Sequence, residues 1–327
     1  MEELTILGAI NKGLRRAMDA DPKVLLMGED IGKLGGVFRA TEGLQKDFGE
    51  NRVIDTPLAE SGIVGTAIGL ALYGYRPVVE IQFDGFVYPA FDQIIVQLAR
   101  MRYRTAGVLQ LPITIRMPYG GGIGSVEHHG ESPEAYFAST PGLRVVTCAD
   151  PTDAYWMIQQ AVASNDPVIF LEPKRRYWQK GEVDTAADLS SAVPMNGARV
   201  LVEGSDCTLI CYGPTVATAL AAAALAAKDG VSLEVINLRS LSPLDLATLI
   251  ASVTKTGRAI VVHEASSSGG IGGEVGQCLM QSCFYHLKAP VLRVTGYDTP
   301  YPPSRNENKY LPDADRILDA VEESMSY

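Results

Sequence analysis

Apolar positions along the chain fall into two patterns that alternate. Short runs of β-branched and aliphatic residues read as buried strands. Longer stretches with apolar positions at helical spacing read as helices. In the first half the strand-like runs cover residues 24–27, 77–83, 113–117, 145–148 and 168–171. Helices are predicted between them over residues 60–73, 89–102 and 151–163. The last of these opens on Asp150-Pro151, an acid suited to cap and a proline suited to the first turn. The N-terminal segment MEELTILGAINKGLRRAMDADP reads as one amphipathic helix with acidic residues at its start.

The rhythm breaks over residues 172–196, EPKRRYWQKGEVDTAADLSSAVPMN, a stretch that is charged and then small and polar. Such a composition predicts a linker crossing the surface between two domains. Beyond it the alternation resumes. Strands are expected over 208–212, 233–238, 259–262 and 291–294, and helices over 215–228, 244–254, 273–287 and 313–325. Alternation of this kind in both halves predicts two α/β domains with mostly parallel sheets. A length of 327 residues suits two domains.

Composition narrows the function classes. Hydrophobic residues make up 46% and charged residues 20%, enough to bury a full core without disulfides or a structural metal. The 28 Lys+Arg against 38 Asp+Glu give a net charge of −10, which argues against nucleic acid as a partner. Cysteines 148, 207, 211, 278 and 283 are odd in number and form no paired CxxC clusters. Reduced thiols and a cytoplasmic location are expected. The N-terminus lacks a signal-peptide pattern. The most apolar run, residues 216–227, holds about 12 residues where a membrane span needs roughly 20, so no membrane partner is expected.

Three stretches carry polar chemistry. In DTPLAESG (55–62), Glu60 falls in the first turn of a helix. It reads either as an acid facing the positive helix end or as a carboxylate fixed on a rigid element and able to bond a ligand nitrogen. Residues 120–134, GGGIGSVEHHGESPE, place His128 and His129 in a glycine-rich loop. Such loops bring backbone close to ligands, and imidazole exchanges protons near neutrality. The plainer reading is a histidine capping the next helix. Adjacent side chains rarely ligate one ion, so metal is not expected there. Residues 263–276 imitate a dinucleotide fingerprint at Gly270, Gly272 and Gly276, but no acidic strand end follows. A loop shaping a helix start is the simpler reading. Lys174-Arg175-Arg176 reads as a solvated charge run or a linker contact, and Phe86 as a ring able to face a planar ligand.

Read in order, LLMGEDIG (25–32), RVIDTPLAESGIVGTAIGLAL (52–72), FDGFVYPAFDQI (83–94), HGESPEAYF (129–137), PGLRVV (141–146), DPVIFLEPKRRY (166–177), TLICYG (208–213) and TGYDTPYP (295–302) cover essentially the whole chain. Together they resemble the beta subunit of the decarboxylating component of 2-oxo acid dehydrogenase complexes. HGESPEAYF and FLEPKRRY look most like the branched-chain (2-oxoisovalerate) members. The pyruvate and acetoin enzymes are the close alternatives. A noncatalytic nucleotide-binding protein using residues 270–276 is the alternative of another class. Gly130-Glu131 stands where the family usually has Ser-Gln.

The resemblance implies a transketolase-like pyrimidine-binding domain over residues 1–185 and a transketolase C-terminal-type domain over 186–327. It implies thiamine diphosphate shared with an alpha subunit in an α2β2 heterotetramer, and acyl transfer to a lipoyl-bearing acyltransferase. The Gly-Asp-Gly signature that precedes the family's Mg2+ motif is missing here, so Mg2+ falls mainly to the alpha subunit. Glu60 falls on the family glutamate that bonds the aminopyrimidine ring and promotes its imino tautomer, whose nitrogen takes the thiazolium proton. Phe86 falls on the aromatic stacked on that ring, and Leu58 and Gln82 on wall positions. His129 falls on the family histidine, suited to orient or protonate the dithiolane sulfur. A K+ ion is implied at the backbone carbonyls of Leu111, Ile113, Thr114, Ala161, Ser164 and Asp166.

Overall fold

Strands buried on both faces form the centre of each sheet, as parallel sheets covered by helices require. The computed structural model describes all 327 residues. In chain order the strands are β1 (Glu2–Thr5), β2 (Val24–Gly28), β3 (Val53–Asp55), β4 (Arg76–Glu80), β5 (Thr114–Tyr119), β6 (Arg144–Thr147), β7 (Val168–Pro173), β8 (Lys180–Val183), β9 (Arg199–Val202), β10 (Cys207–Cys211), β11 (Leu233–Asn237), β12 (Ser240–Ser242), β13 (Ala259–Ser266) and β14 (Leu292–Gly296). A seven-stranded sheet runs β12-β6-β7-β5-β4-β2-β3, and a five-stranded sheet runs β14-β13-β10-β11-β9. Only the edge strands β12 and β9 pair antiparallel within them. The two α/β units with mostly parallel sheets are therefore present.

Helices cover both faces of the large sheet. On one face the Ile6–Ala20 and Pro151–Ala163 helices pack together, burying Ile10, Leu14, Tyr155 and Ile158. Gly13 permits that approach, since a β-carbon there would lie 2.5 Å from Ile158. As its sequence predicts, Asp150 caps the second of these helices, its carboxylate accepting from the Asp153 amide at 2.7 Å. On the other face the Glu60–Leu72 helix buries Ile63, Val64, Ala67 and Ile68. No helix is long and apolar enough to cross a membrane.

Four expectations need correction. Residues 2–5 are not helical but form β1, paired antiparallel with β8. The helix begins at Ile6 because Thr5 caps it, its hydroxyl accepting from the Gly8 amide at 3.0 Å. The helix over 89–102 is replaced by a tight 3-10 segment (Asp84–Ala90), a wider π-type segment (Gln93–Leu98) and a short α-helix (Ala99–Arg104). The stretch 172–196 is not all surface linker: Glu172, Lys174 and Tyr177 are buried, and β8 follows them. Nor is Lys174-Arg175-Arg176 a solvated run. Lys174 pairs with Asp84, Arg175 with Glu264 at 2.5 Å, and Arg176 reaches the Pro214 carbonyl.

The halves also interlock. β12 leaves the C-terminal half to pair with β6 of the large sheet. Arg239 reaches back to Asp153 at 2.8 Å, and the Tyr212 hydroxyl donates to Glu134 at 2.7 Å.

Candidate active site

The order β5-β4-β2-β3 gathers the polar segments at one edge. In parallel sheets of this kind ligands bind beyond the carboxyl ends of the strands. β2 ends into Glu29, β3 into Thr56-Pro57-Leu58 and the Glu60–Leu72 helix, β4 into Gln82 and Phe86, and β5 into the loop bearing His129. Four neighbouring strands thus deliver every side chain singled out for the ligand.

Glu60 opens its helix and is buried. Its neighbour is Glu29, also buried, which the sequence reading missed although it directly follows a strand end. Burial, and then the nearby Glu60 charge, push the Glu29 carboxyl above the ordinary carboxylate range. Gln82 donates to the Glu29 carbonyl at 3.3 Å and to Asp30 at 3.4 Å, tying the β4 end to the β2 end. Glu29 Oε1 and Thr56 Oγ1 are buried with no hydrogen-bond partner. Unpaired buried polar atoms are costly and rare in a finished fold. Beside Glu60 they fit a polar heterocycle bearing its own donors, such as an aminopyrimidine. Leu58 differs from the rest. It is 80% exposed, and the chain covers it with nothing of its own.

Aromatic groups form the second part of the site. Phe83, Phe86 and His129 meet edge to face, with ring centroids 4.5 Å apart for Phe83–His129 and 5.1 Å for Phe86–His129. The segment carrying Phe86 is anchored by Asp84, which pairs with Lys174 out of solvent and accepts from the Glu131 amide at 2.7 Å. Gly85 allows the histidine loop to pass close by, since a β-carbon there would lie 2.5 Å from the His128 carbonyl oxygen. Neither histidine caps the next helix, whose cap residue is Pro133. His128 is exposed in a left-handed conformation, while His129 turns in toward Phe83 and Phe86. Tyr88 donates to Glu131 at 2.7 Å at the same rim.

A layer of charge lies below. Arg116 of β5 binds Glu80 of β4 at 2.7 Å and Glu172 of β7 at 2.7 and 3.0 Å, and Tyr177 donates to Glu172. All four are buried. The fingerprint-like glycines have another use. Gly270 and Gly272 make room for His263, whose Nε2 accepts from the Gly272 amide at 3.2 Å. Burial holds that imidazole down at about 4, as a neutral packing group.

The six residues implied for K+ lie on two segments, one leading into β5 and one joining the Pro151–Ala163 helix to β7. The Ile113 carbonyl accepts from the Val168 amide at 2.9 Å, and that of Ala161 from Ser164 at 3.1 Å. Leu111 and Thr114 flank Ile113 where β5 begins. The Ser164 hydroxyl donates to the Asp166 carbonyl at 2.9 Å. The Arg76 guanidinium donates to the Ser164 carbonyl at 3.0 Å. Carbonyl oxygens have a second lone pair, which leaves these groups able to ligate.

Residues 2–179 match the transketolase pyrimidine binding domain and residues 196–317 the transketolase C-terminal domain. A split-gene transketolase, solved as an inactive beta4 tetramer, shares the fold with a TM-score of 0.80. That likeness covers 99% of this chain and 98% of that one at 23% identity. Fold and domain matches define the class, a transketolase-like two-domain α/β protein. The pyruvate dehydrogenase E1 component subunit beta of Leifsonia xyli is 58% identical over 100% of this chain and 96% of its own length. The 3-methyl-2-oxobutanoate dehydrogenase subunit beta of Mycobacterium tuberculosis is 52% identical over 98% and 92%. The 2-oxoisovalerate dehydrogenase subunit beta of Pseudomonas aeruginosa is 44% identical over 96% and 93%. The chain belongs to the family of beta subunits of thiamine diphosphate-dependent 2-oxo acid dehydrogenases.

Proposed function

We propose that this chain is the beta subunit of a branched-chain (2-oxoisovalerate) dehydrogenase, active only with an alpha subunit in an α2β2 heterotetramer. Residues 1–185 form the domain that holds the aminopyrimidine half of the cofactor, and residues 186–327 the C-terminal domain. The observation that carries the cofactor part of this reading is Glu60, buried at the carboxyl edge beside the unpartnered Glu29 oxygen. The branched-chain choice rests on the segments HGESPEAYF and FLEPKRRY. We place the protein in the cytoplasm, a reading supported by its five unpaired cysteines.

Bound thiamine diphosphate supplies the carbon nucleophile for decarboxylation of the 2-oxo acid. Glu60 shares a proton with the aminopyrimidine ring nitrogen. Removal of water strengthens that hydrogen bond, because the local dielectric falls. Phe86 offers a ring face, and Gln82 keeps the ends of β2 and β4 together around the ligand. Leu58 points from this chain into space that the alpha subunit fills. In acyl transfer to the lipoyl group of the acyltransferase, the dithiolane S–S bond breaks: one sulfur bonds the acyl carbon, and the other leaves with the S–S electron pair and takes a proton. His129 gives that proton. Mg2+ is held mainly by the alpha subunit. The carbonyls of Leu111, Ile113, Thr114, Ala161, Ser164 and Asp166 would hold K+.

A pyruvate dehydrogenase is the second reading, favoured by the relative that is 58% identical. The two substrates differ by methyl groups, each worth about 1–3 kcal/mol in a hydrophobic pocket. The test is CO2 release from 3-methyl-2-oxobutanoate and from pyruvate by the assembled pair. Faster turnover of the branched substrate supports the first reading, and turnover of pyruvate alone assigns the second.

A further inference from the structure

Residues 120–131 leave β5 and carry His129 near their end. Residues 122–124 and 126–128 are exposed, so little burial of their own fixes the path of this loop. Its base is closed by the Gly120 amide, which donates to the Glu131 carbonyl at 2.9 Å. Its His129 end is held by the segment after β4: the Gly85 amide donates to the His128 carbonyl at 3.2 Å, Asp84 accepts from the Glu131 amide at 2.7 Å, and His129 packs on Phe83 and Phe86. Its first half is restrained by the C-terminal third of the chain. Glu264 accepts from the Gly121 amide at 3.0 Å. Glu307 accepts from the Gly122 amide at 2.8 Å with one carboxylate oxygen and from the Gly124 amide at 3.0 Å with the other. The Tyr301 hydroxyl accepts from the Gly122 amide at 3.2 Å and donates to Glu307. The Tyr301 ring fills the space between Gly121 and Gly130, where a β-carbon on either glycine would run into it. Tyr301 and Glu307 are each 6% exposed, so these bonds are made away from competing water.

We propose that Tyr301 and Glu307 form a clamp that sets the path of the 120–131 loop and, through it, the place of His129. They are positioning residues for acyl transfer, a role that rests on the one proposed for His129. The ring fixes both ends of the loop by shape, and the carboxylate fixes its middle by two charged hydrogen bonds. Neither residue reaches Glu60 or Phe86, which lie on other strand ends. The clamp therefore meets the decarboxylation site only through the contact of His129 with Phe86, and should affect decarboxylation less than acylation.

The test uses the full chain assembled with an alpha-type subunit, thiamine diphosphate and Mg2+. Decarboxylation is followed with an artificial oxidant and acylation with a lipoyl domain. Hydrogen exchange of the 120–131 amides is measured on the same samples. Glu307→Gln and Tyr301→Ala should slow acylation by about 10- to 100-fold, the range expected for a misplaced reacting group. They should slow decarboxylation much less than acylation and speed exchange of the loop amides. Tyr301→Phe, which keeps the ring, should recover most of the acylation lost in Tyr301→Ala. Unchanged loop exchange in Glu307→Gln overturns the clamp. Faster exchange with wild-type acylation, or with equal loss in both half-reactions, overturns its link to His129. A parallel His129→Ala variant with no selective loss of acylation removes the role of His129 instead, and the clamp then stands or falls on exchange alone.

Discussion

Replacing Glu60 by glutamine keeps the shape of the side chain and removes its ability to share a proton as an acid. Decarboxylation by the assembled pair should fall by about 10²–10⁴-fold, the range for loss of a positioned acid–base group. CO2 release at saturating 2-oxo acid reads this, and near-normal turnover removes Glu60 from the mechanism. His129→Ala should slow lipoyl acylation more than decarboxylation measured with an artificial oxidant. Equal loss in both assays contradicts its assignment to acyl transfer. At this scale part of the site was legible. The reading put Glu60 in a first helical turn, Phe86 between a strand and a helix, and His129 in a glycine-rich loop after a strand, while Gln82 was singled out only by resemblance and the short strand β3 before Glu60 was not expected. Glu29 was missed because a lone acid after a strand resembles any loop acid until its neighbour across the sheet is known. Its significance lies in the parallel pairing of β2 with β3, which brings Glu60 beside it.

Elements show where composition misleads. The run Lys174-Arg175-Arg176 looks solvated, yet Lys174 pairs with Asp84, 90 residues earlier, and both are buried. Removing one partner of such a pair leaves a buried charge uncompensated. Lys174→Met should therefore destabilise the chain by about 3–5 kcal/mol. Equilibrium urea unfolding measures it, and a loss typical of a surface charge would mean that Asp84 finds another partner. The same variant should loosen the segment carrying Phe86, since Asp84 also holds the Glu131 amide. Residues 2–5 misled in a similar way. Their pairing partner β8 lies about 175 residues on, inside the stretch that reads as linker. Helix periodicity cannot register a contact of that range, whereas the local Asp150-Pro151 cap was read correctly because its signal is complete within four residues.

Across the whole molecule, the two halves meet through buried polar contacts as well as through β12. Glu134 of the first half accepts from Tyr212 of the second, and burial pushes the Glu134 carboxyl up to about 7. Its ordinary value is 4.5, so the folded chain holds this proton more tightly than the unfolded chain. The stabilising contribution is complete below the unfolded value and is lost as pH rises through about 7, on the order of 3 kcal/mol in all. Glu134→Gln keeps an acceptor for Tyr212 and cannot ionise. Relative to the wild type, its thermal stability should improve between pH 5 and pH 8, and a constant difference at both values would refute the assignment. The sequence anticipated two parallel-sheet units but not their interlocking. β12 is three residues long, lies at an edge, and pairs with a strand of the other half, so no local pattern announces it. Leu58 bears on the same scale. It is 80% exposed at the rim of the buried polar site, and the proposed alpha subunit would cover it. The most direct measurement is CO2 release from a 2-oxo acid, with thiamine diphosphate and Mg2+, by this chain alone and after assembly with an alpha-type subunit. Turnover should be absent alone and appear on assembly. Turnover by the isolated chain, or a silent pair with every 2-oxo acid tried, would contradict a half-site completed by its partner.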